Sequence, residues 1–320
     1  MSLKVAIVGQ GVSGTSTALA LLEEFPELKV TLFGDRPFED ITSFGPAGYF
    51  FIDEESHKRW GAVSFDRFAK LEREYGASIG VKYISGTYQS EDKEDLEELE
   101  HLNSDVVHNI RWFILHFSTY TAEGKIYVPW LKQQCEKHGA TFIRREIHSL
   151  DDLADEEFDL VVNCAGLHGG KLAGDDDQVF PLRGVAFEID APGFKQFSCD
   201  MIETFVLPLD RTVLVGTVRQ KDRYDKTITD EDRKDILERV YKTHPSLKFH
   251  KIVNEWCGLR PGRSLVRIER QTRTSRNGRK YEAIMNYGHG SNGFTLSWGT
   301  AQDVVGFTRE ILKKNQRSKL

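Results

Sequence analysis

The stretch VAIVGQGVSGTSTALAL, residues 5–21, decides the fold of this 320-residue chain. Residues 3–8 predict a buried parallel strand, because their apolar run is continuous rather than alternating. A glycine-rich turn, a helical pattern and a second strand at 29–34 follow. This order of strand, turn, helix and strand predicts a nucleotide-binding unit.

The turn at residues 9–14, GQGVSG, has the GxGxxG spacing of dinucleotide-binding loops. Its glycines allow a tight turn, close approach of the backbone to a pyrophosphate, and close helix packing, while the helix N-terminus favours phosphate charge. Asp35 ends the second strand, where it can meet a ribose hydroxyl. The fingerprint leaves both NAD(P) and FAD open. Arg36 would suit the 2′-phosphate of NADP, although the acid beside it disfavours that nucleotide.

Charge and composition exclude several classes of protein. The net charge of −6 and the pI near 6.0 argue against a surface that binds nucleic acid or an anionic membrane. No apolar stretch approaches the roughly 18 residues of a membrane span. Cys135, Cys164, Cys199 and Cys257 are scattered without a CxxC pair, so we expect free thiols and no metal site.

The rest of the chain predicts a second kind of sheet. A strand at 158–166 resembles the first, whereas GVAFEID (184–190) and TVLVGTV (212–218) alternate and predict an antiparallel sheet with one wet face. Helical patterns cover about 229–243 and 294–314, and an acidic, surface-type helical segment covers 90–101. We therefore expect a nucleotide-binding domain assembled from separated segments and a mainly antiparallel-sheet second domain.

Three further stretches suit a flat, anionic ligand. Small residues in a loop at Thr42, Ser43, Ala47 and Gly48 fit a pyrophosphate and a flavin edge better than a nicotinamide. GLRPGR (258–263) holds Arg260 in a rigid turn, where it can offer two donors to a carboxylate. NYGHGSNGFT (286–295) places glycines before a helix. We interpret His289 within it as a packing or hydrogen-bonding residue rather than a general base.

Together these motifs resemble the FAD-dependent D-amino-acid oxidases, and within them the D-aspartate oxidases. The similarity runs over essentially the whole chain, and NYGHGSNGFTLSWGTA (286–301) is its most specific part. The resemblance implies a Rossmann-like FAD-binding domain from 1–50, 140–185 and 280–320, and a substrate-binding domain from 51–139 and 186–279. The implied FAD contacts are Gly9, Gly11, Val12, Ser13, Gly14, Asp35, Arg36, Thr42, Ser43, Ala47, Gly48, Ile147, Gly290, Ser291, Gly293, Phe294 and Thr295.

The resemblance also implies the substrate contacts. Arg260 would pair with the substrate α-carboxylate, Arg219 would meet a side-chain carboxylate, and Ser291 matches a serine of the aspartate oxidases. Three residues depart from the family pattern: Phe205 replaces an active-site tyrosine, Met285 a histidine and Phe44 an acid. A lid segment at about 197–203 also lacks an arginine. These departures keep open the alternatives of an oxidase for neutral or basic D-amino acids, an inactive flavin-binding protein and an NAD-dependent dehydrogenase.

The implied reaction is hydride transfer from an acidic D-amino acid, D-Asp or D-Glu, to FAD, without a catalytic side chain. The products are a 2-oxo acid, ammonia and, after reaction with dioxygen, hydrogen peroxide. The tripeptide Ser318-Lys319-Leu320 is a receptor-read peroxisomal address, which predicts an exposed, flexible tail, an import receptor as partner and a place in the peroxisomal matrix.

Overall fold

The structure, a computed structural model, describes residues 3–45, 47–90, 94, 97, 101, 109–111, 114–200 and 204–317. The tripeptide at 318–320, with its predicted flexibility, lies outside them, as do most of the acidic segment and the end of the lid segment. The helices are α1 Val12–Glu24, α2 Lys58–Tyr75, α3 Gly124–Lys137, α4 Leu150–Asp155, α5 Gly169–Ala173, α6 Asp230–Thr243 and α7 Gly293–Arg317.

The strands fall into two sheets. They are β1 Lys4–Val8, β2 Lys29–Gly34, β3 Ala47–Tyr49, β4 Val81–Gln89, β5 Asn109–Arg111, β6 Ile114–Glu123, β7 Thr141–Arg144, β8 Leu160–Asn163, β9 Phe180–Ile189, β10 Phe197–Asp200, β11 Phe205–Pro208, β12 Val213–Gly216, β13 Gln220–Lys221, β14 Ile252–Gly262, β15 Arg267–Thr274 and β16 Lys280–Tyr287.

The first compact unit, Met1–Phe44, Val128–Phe180 and Pro261–Leu320, contains the sheet β15-β16-β8-β1-β2-β7. Strand β1 lies between β2 and β8 and runs parallel to both, and β16 runs parallel to β8. Residues 5–8 and the whole of β8 are buried, as the continuous apolar runs predict for a sheet covered on both faces. Helices α1 and α7 pack against each other in this unit.

The second compact unit, Gly45–Tyr127 and Pro181–Arg260, contains the sheet β13-β9-β12-β11-β10-β4-β6-β3. Most of its neighbouring strands are antiparallel, and β10 with β4 is a parallel pair. The predicted fold class, a parallel α/β sheet with a second, largely antiparallel sheet, is therefore confirmed. Which functions the predicted segments carry stays a prediction.

One detail of the second sheet was predicted wrongly. The alternation in β9 and β12 predicts a wet face, yet all of β12 and most of β9 are buried. Ala186 and Leu214 face an aromatic cluster, while Val185 and Val215 face a cluster that includes Ile236 of α6. The face that the alternation assigns to solvent, which carries Ala186 and Leu214, is thus covered by the aromatic cluster, and helix α6 covers the opposite, apolar face. Within the described ranges, no helix is long and apolar enough to cross a membrane.

Candidate functional sites

The glycine turn after β1 is as tight as its sequence predicts. Gly9 has a φ of +115°, and a Cβ there would lie 2.2 Å from the carbonyl oxygen of Cys164 at the end of β8. A Cβ on Gly14 would lie 2.0 Å from the carbonyl oxygen of Gly9. Both positions therefore need glycine. Gly9 needs it for the dihedral angle as well as for the small size, and Gly14 needs it for the close packing of α1.

Ser43 lies at the N-terminus of α1. Its hydroxyl accepts a hydrogen bond from the backbone N–H of Val12 at 3.1 Å. A Cβ on Gly11 would approach the same oxygen to 3.1 Å, so the chain around Ser43 sits close over the turn. The first turn of α1 contains no acidic residue that would compete with a bound anion.

A second glycine-rich turn adjoins this helix end. Gly290–Asn292 forms a 3₁₀ turn that leads into α7. The Ser13 hydroxyl lies 3.5 Å from Nδ1 of His289, and a Cβ on Gly293 would lie 3.5 Å from Val12. The N-termini of α1 and α7 are thus neighbours, and two helix N-termini together suit the two phosphates of a dinucleotide.

His289 has the environment of a structural histidine. It is buried, and its Nε2 lies 3.2 Å from the hydroxyl of Thr300 while Nδ1 faces Ser13. Both ring nitrogens therefore meet hydroxyls of the two packed helices, which supports the hydrogen-bonding interpretation. Met285 is fully buried in the core under the parallel sheet, with its sulfur 3.7 Å from the amide nitrogen of Asn163.

The other predicted cofactor contacts are spread over several elements. Arg36 pairs with Asp35 through Nε at 2.8 Å and through a second, shorter contact, and this hydrogen bonding lowers the pKa of Asp35. Ile147 packs against the core under the parallel sheet. The predicted loop of four small residues is wrong in part: Thr42–Phe44, which includes Ser43, is a 3₁₀ turn, but Ala47 and Gly48 form β3 in the second unit. Cross-strand pairing with β6 overrides the loop-like composition there.

Within the described residues, the guanidinium of Arg260 in the second unit has no counter-charge. Its Nη1 is inaccessible to solvent and has no hydrogen-bond partner among the residues that the structure describes. Its Nη2 lies 3.5 Å from the hydroxyl of Thr217, which is a weak contact. Burial first, and the positive charge of Arg219 second, lower the pKa of Arg260 to about 10.

Arg219 supplies a second guanidinium near the first. Its side chain is exposed, and it takes part in no hydrogen bond or ion pair within the described residues. Because its charge acts on Arg260, the two cations are close enough to repel each other. Two neighbouring cations that have no counter-charge among the described residues favour a ligand with two negative charges.

Gly184 and Thr217 help to shape this site, and sequence reasoning missed both. A Cβ on Gly184 of β9 would lie 2.2 Å from Nη1 of Arg260, so only glycine leaves room for the guanidinium over this strand. A glycine inside a strand could have indicated such a close approach. Thr217 gave no such signal. Phe205 packs in the aromatic cluster, with its ring close to Gly216.

Ser291 and the first part of the lid segment lie in regular elements of the structure. Ser291 is exposed in the 3₁₀ turn before α7. Phe197–Asp200 of the lid segment forms β10, beside β4, and residues 201–203 lie outside the described ranges.

Comparison with known proteins defines the class. The family model of FAD dependent oxidoreductases matches residues 4–306. D-aspartate oxidase 1 of Caenorhabditis elegans is 43% identical over 333 residues, which cover 99% of this chain and 100% of that protein. D-aspartate oxidase of Homo sapiens is 32% identical, with coverage of 97% and 95%. The solved L-proline dehydrogenase of P. horikoshii shares the fold, with a TM-score of 0.78 at 15% identity over 97% of this chain and 94% of its own.

The chain therefore belongs to the FAD-dependent oxidoreductases. Its cofactor is FAD, and the curated relatives above are D-aspartate oxidases that match it from end to end.

Proposed function

We propose that this protein oxidatively deaminates acidic D-amino acids, D-aspartate and D-glutamate. The observation that carries the proposal is the pair of guanidiniums of Arg260 and Arg219, neither of which has a carboxylate partner within the described residues. An acidic amino acid brings two carboxylates, one for each arginine. The identity of 43% to a D-aspartate oxidase supports the same substrate class.

Most of the proposed FAD contacts belong to the first unit, and Ala47 and Gly48 belong to the second. Bound FAD would supply the acceptor for a hydride from the substrate Cα, and its reoxidation by dioxygen would yield hydrogen peroxide. The N-termini of α1 and α7 and the Ser43 hydroxyl would hold the pyrophosphate, and Asp35 with Arg36 the ribose end. The proposed contacts are Gly9, Gly11, Val12, Ser13, Gly14, Asp35, Arg36, Thr42, Ser43, Ala47, Gly48, Ile147, Gly290, Ser291, Gly293, Phe294 and Thr295.

Substrate selection falls to the second unit. Arg260 binds the α-carboxylate through two donors, a geometry that also fixes the plane of that group. Arg219 binds the distal carboxylate. With both carboxylates held, only one enantiomer can direct its Cα–H at the acceptor. An apolar substrate would lack the charged contact with Arg219, and the loss of that contact disfavours it.

The direct test is a panel of D-amino acids with peroxide as the readout, applied to the wild-type holoenzyme and to Arg219→Leu. We expect activity with D-Asp and D-Glu, and a loss of about 100-fold in kcat/KM for D-Asp in the variant, since a lost charged contact is worth about 2–3 kcal/mol. Activity with D-alanine should change little.

Arg211→Leu is the matched control, because Arg211 is 92% exposed in the same unit and its one ion pair within the described residues is a 3.8 Å contact to Asp210. It should behave like the wild type. An unchanged ranking of substrates in Arg219→Leu would argue instead for an oxidase of neutral or basic D-amino acids, and no activity with any D-amino acid would contradict the function itself.

We also propose a peroxisomal location. Its support is chemical: an oxidase that makes peroxide benefits from enzymes that remove it, and Ser318-Lys319-Leu320, as a free C-terminus, is an address for peroxisomal import. A fluorescent protein fused in front of residues 309–320 should enter peroxisomes, and the same fusion without Leu320 should not.

A further inference from the structure

Arg219 lies on a segment, residues 217–229, that connects β12 to α6. Its guanidinium has no partner within the described chain, so its position depends on what holds the backbone around it. We propose that Arg239 of α6 and the buried pair Arg183–Asp232 are positioning residues that fix this segment and thereby set the preference for dicarboxylate substrates. The inference rests on the proposed function.

Arg239 holds the beginning of the segment. Its Nη2 donates to the backbone carbonyl of Thr217 at 2.8 Å, and its Nη1 donates to the hydroxyl of Thr204 at 2.8 Å. Asp235, one turn earlier on α6, orients the guanidinium at 2.9 Å. Thr217 is the residue whose hydroxyl lies near Arg260, so one side chain of α6 connects the surroundings of both substrate arginines.

Val218 strengthens this attachment. It is buried in the same cluster as Ile236 and Val240 of α6, while the next residue, Arg219, is exposed. Arg239 thus holds the carbonyl of Thr217, and the apolar face of α6 holds the side chain of Val218. Arg219 follows directly after this anchor.

The Arg183–Asp232 pair holds the remainder of the segment. Arg183 of β9 is fully buried, and its Nη2 donates to Oδ2 of Asp232 at 2.8 Å. Its other donors reach the Gln220 side chain at 2.5 Å, the Asp225 carbonyl at 3.0 Å and the Thr227 carbonyl. One buried guanidinium therefore joins three points of the segment to β9.

Asp232 connects the same network to the start of α6. It accepts from the backbone N–H of Thr229 at 3.0 Å, and its own N–H donates to the Thr229 hydroxyl at 3.1 Å, which completes a capping box. Arg219 therefore lies between two attachments: Arg239 of α6 holds the chain before it, and the Arg183–Asp232 pair holds the chain after it. Such anchoring removes backbone freedom that a bound dicarboxylate would otherwise have to restrict.

The test compares Arg239→Gln with the wild type on D-aspartate and on D-alanine. We expect kcat/KM for D-aspartate to fall about tenfold, mainly through KM, because a misplacement of about 1 Å weakens a positioned contact by up to about 100-fold. D-alanine does not use Arg219, so its kcat/KM should stay within about twofold. Arg239→Lys, which can still donate to Thr217, should recover part of the loss.

Lys234→Gln is the matched control, because Lys234 is an exposed cation of α6 with no hydrogen bond or ion pair to the described residues of the segment. It should leave both substrates unaffected. In an Arg219→Leu background, Arg239→Gln should cause no further loss with D-aspartate, since the two residues act through one contact. Asp232→Asn, which keeps the side-chain shape, serves as a second variant and should show the same loss of selectivity.

Equal losses on both substrates, or fully additive losses in the double variant, would overturn the positioning role and leave only a structural one. Absence of wild-type activity with D-aspartate would instead contradict the proposed function, so the two failures are distinguishable.

Discussion

At the scale of the residue, the proposed function depends most on Arg260. Its charge is buried without a counter-charge in the described chain, and the lowered pKa of its guanidinium reflects that burial and the neighbouring Arg219. An uncompensated buried cation destabilises the free protein, and a carboxylate bound there removes the penalty. Arg260 thus lowers the stability of the free enzyme and raises its affinity for an anion, an exchange of stability for binding.

This exchange predicts opposite effects of Arg260→Met on activity and stability. We expect kcat/KM for D-aspartate to fall at least about 100-fold, because breaking a buried charge pair costs about 3–5 kcal/mol. Without substrate, the melting temperature of the holoenzyme should stay equal or rise, since Met fills the space without a charge. A clear fall in melting temperature with flavin still bound would contradict the unpaired state of Arg260.

The sequence predicted the two arginines but not their surroundings. Arg260 is found from its Pro-Gly context and Arg219 from family resemblance, whereas Thr217 is an ordinary strand-end residue. Arg239 and Arg183 belong to charged or strand patterns that normally face solvent. Apart from the Arg239–Asp235 contact, their hydrogen bonds join residues 22 to 49 positions apart, and no local pattern encodes such distances.

At the scale of the element, the turn from β1 to α1 is fixed by two different constraints. Gly9 needs a positive φ and also meets the Cys164 carbonyl, while Gly14 needs only the space beside Gly9. The sequence predicted this turn well, because the spacing of glycines reflects local geometry.

Gly9→Ala should therefore cost more stability than a glycine replaced in open space. Gly139 is the matched control, with a φ of +89° and no atom of the described residues within 4 Å of a Cβ. Gly139→Ala should cost about 1–2 kcal/mol from its dihedral angle alone, and Gly9→Ala clearly more, with loss of bound flavin. Thermal melting and the flavin-to-protein absorbance ratio measure both effects. Equal melting temperatures of the two variants would show that the Cys164 contact imposes no constraint.

The capping box of α6 gives a prediction about pH. Burial alone would raise the pKa of Asp232, but hydrogen bonds from Arg183 and the Thr229 backbone lower it to about 2, against an ordinary value of 3.8. A lowered pKa contributes stability that is present above the ordinary value and lost as pH falls toward 2. The shift corresponds to about 2 kcal/mol.

Asp232→Asn should accordingly lower the melting temperature at pH 6, and its difference from the wild type should shrink between pH 4 and 2. Asp230→Asn is a suitable control, because Asp230 begins the same helix with a fully exposed side chain. A difference between Asp232→Asn and the wild type that stays constant with pH would contradict the assignment.

Burial within an element proved harder to predict than its type. The strands β1 and β8 follow from apolar runs and β2 from its place after the first helical pattern, and α6 begins and ends within a residue of its predicted bounds. The wet face of β9 and β12 was wrong because alternation within seven residues does not reveal the aromatic cluster that packs on Ala186 and Leu214. Tertiary packing, rather than local propensity, decides that face.

At the scale of the whole molecule, each compact unit is built from more than one segment of the chain. The first unit takes three separate segments, and its sheet places β8 between β1 and β16. Repeated apolar strands indicate such an assembly, but their order does not follow from sequence, because pairing between distant strands leaves no local pattern. The division of labour between the units remains a prediction that substrate and flavin measurements address.

The central claim is that the flavoprotein oxidises acidic D-amino acids through its two arginines. Anaerobic mixing of the purified holoenzyme with D-aspartate, L-aspartate and D-alanine tests it directly, because bleaching of the flavin absorption reports oxidation of the substrate without later steps. We predict fast and complete bleaching by D-aspartate, much slower bleaching by D-alanine, and none by L-aspartate. A flavin that D-aspartate leaves oxidised, or that D-alanine reduces as fast as D-aspartate, would contradict the account.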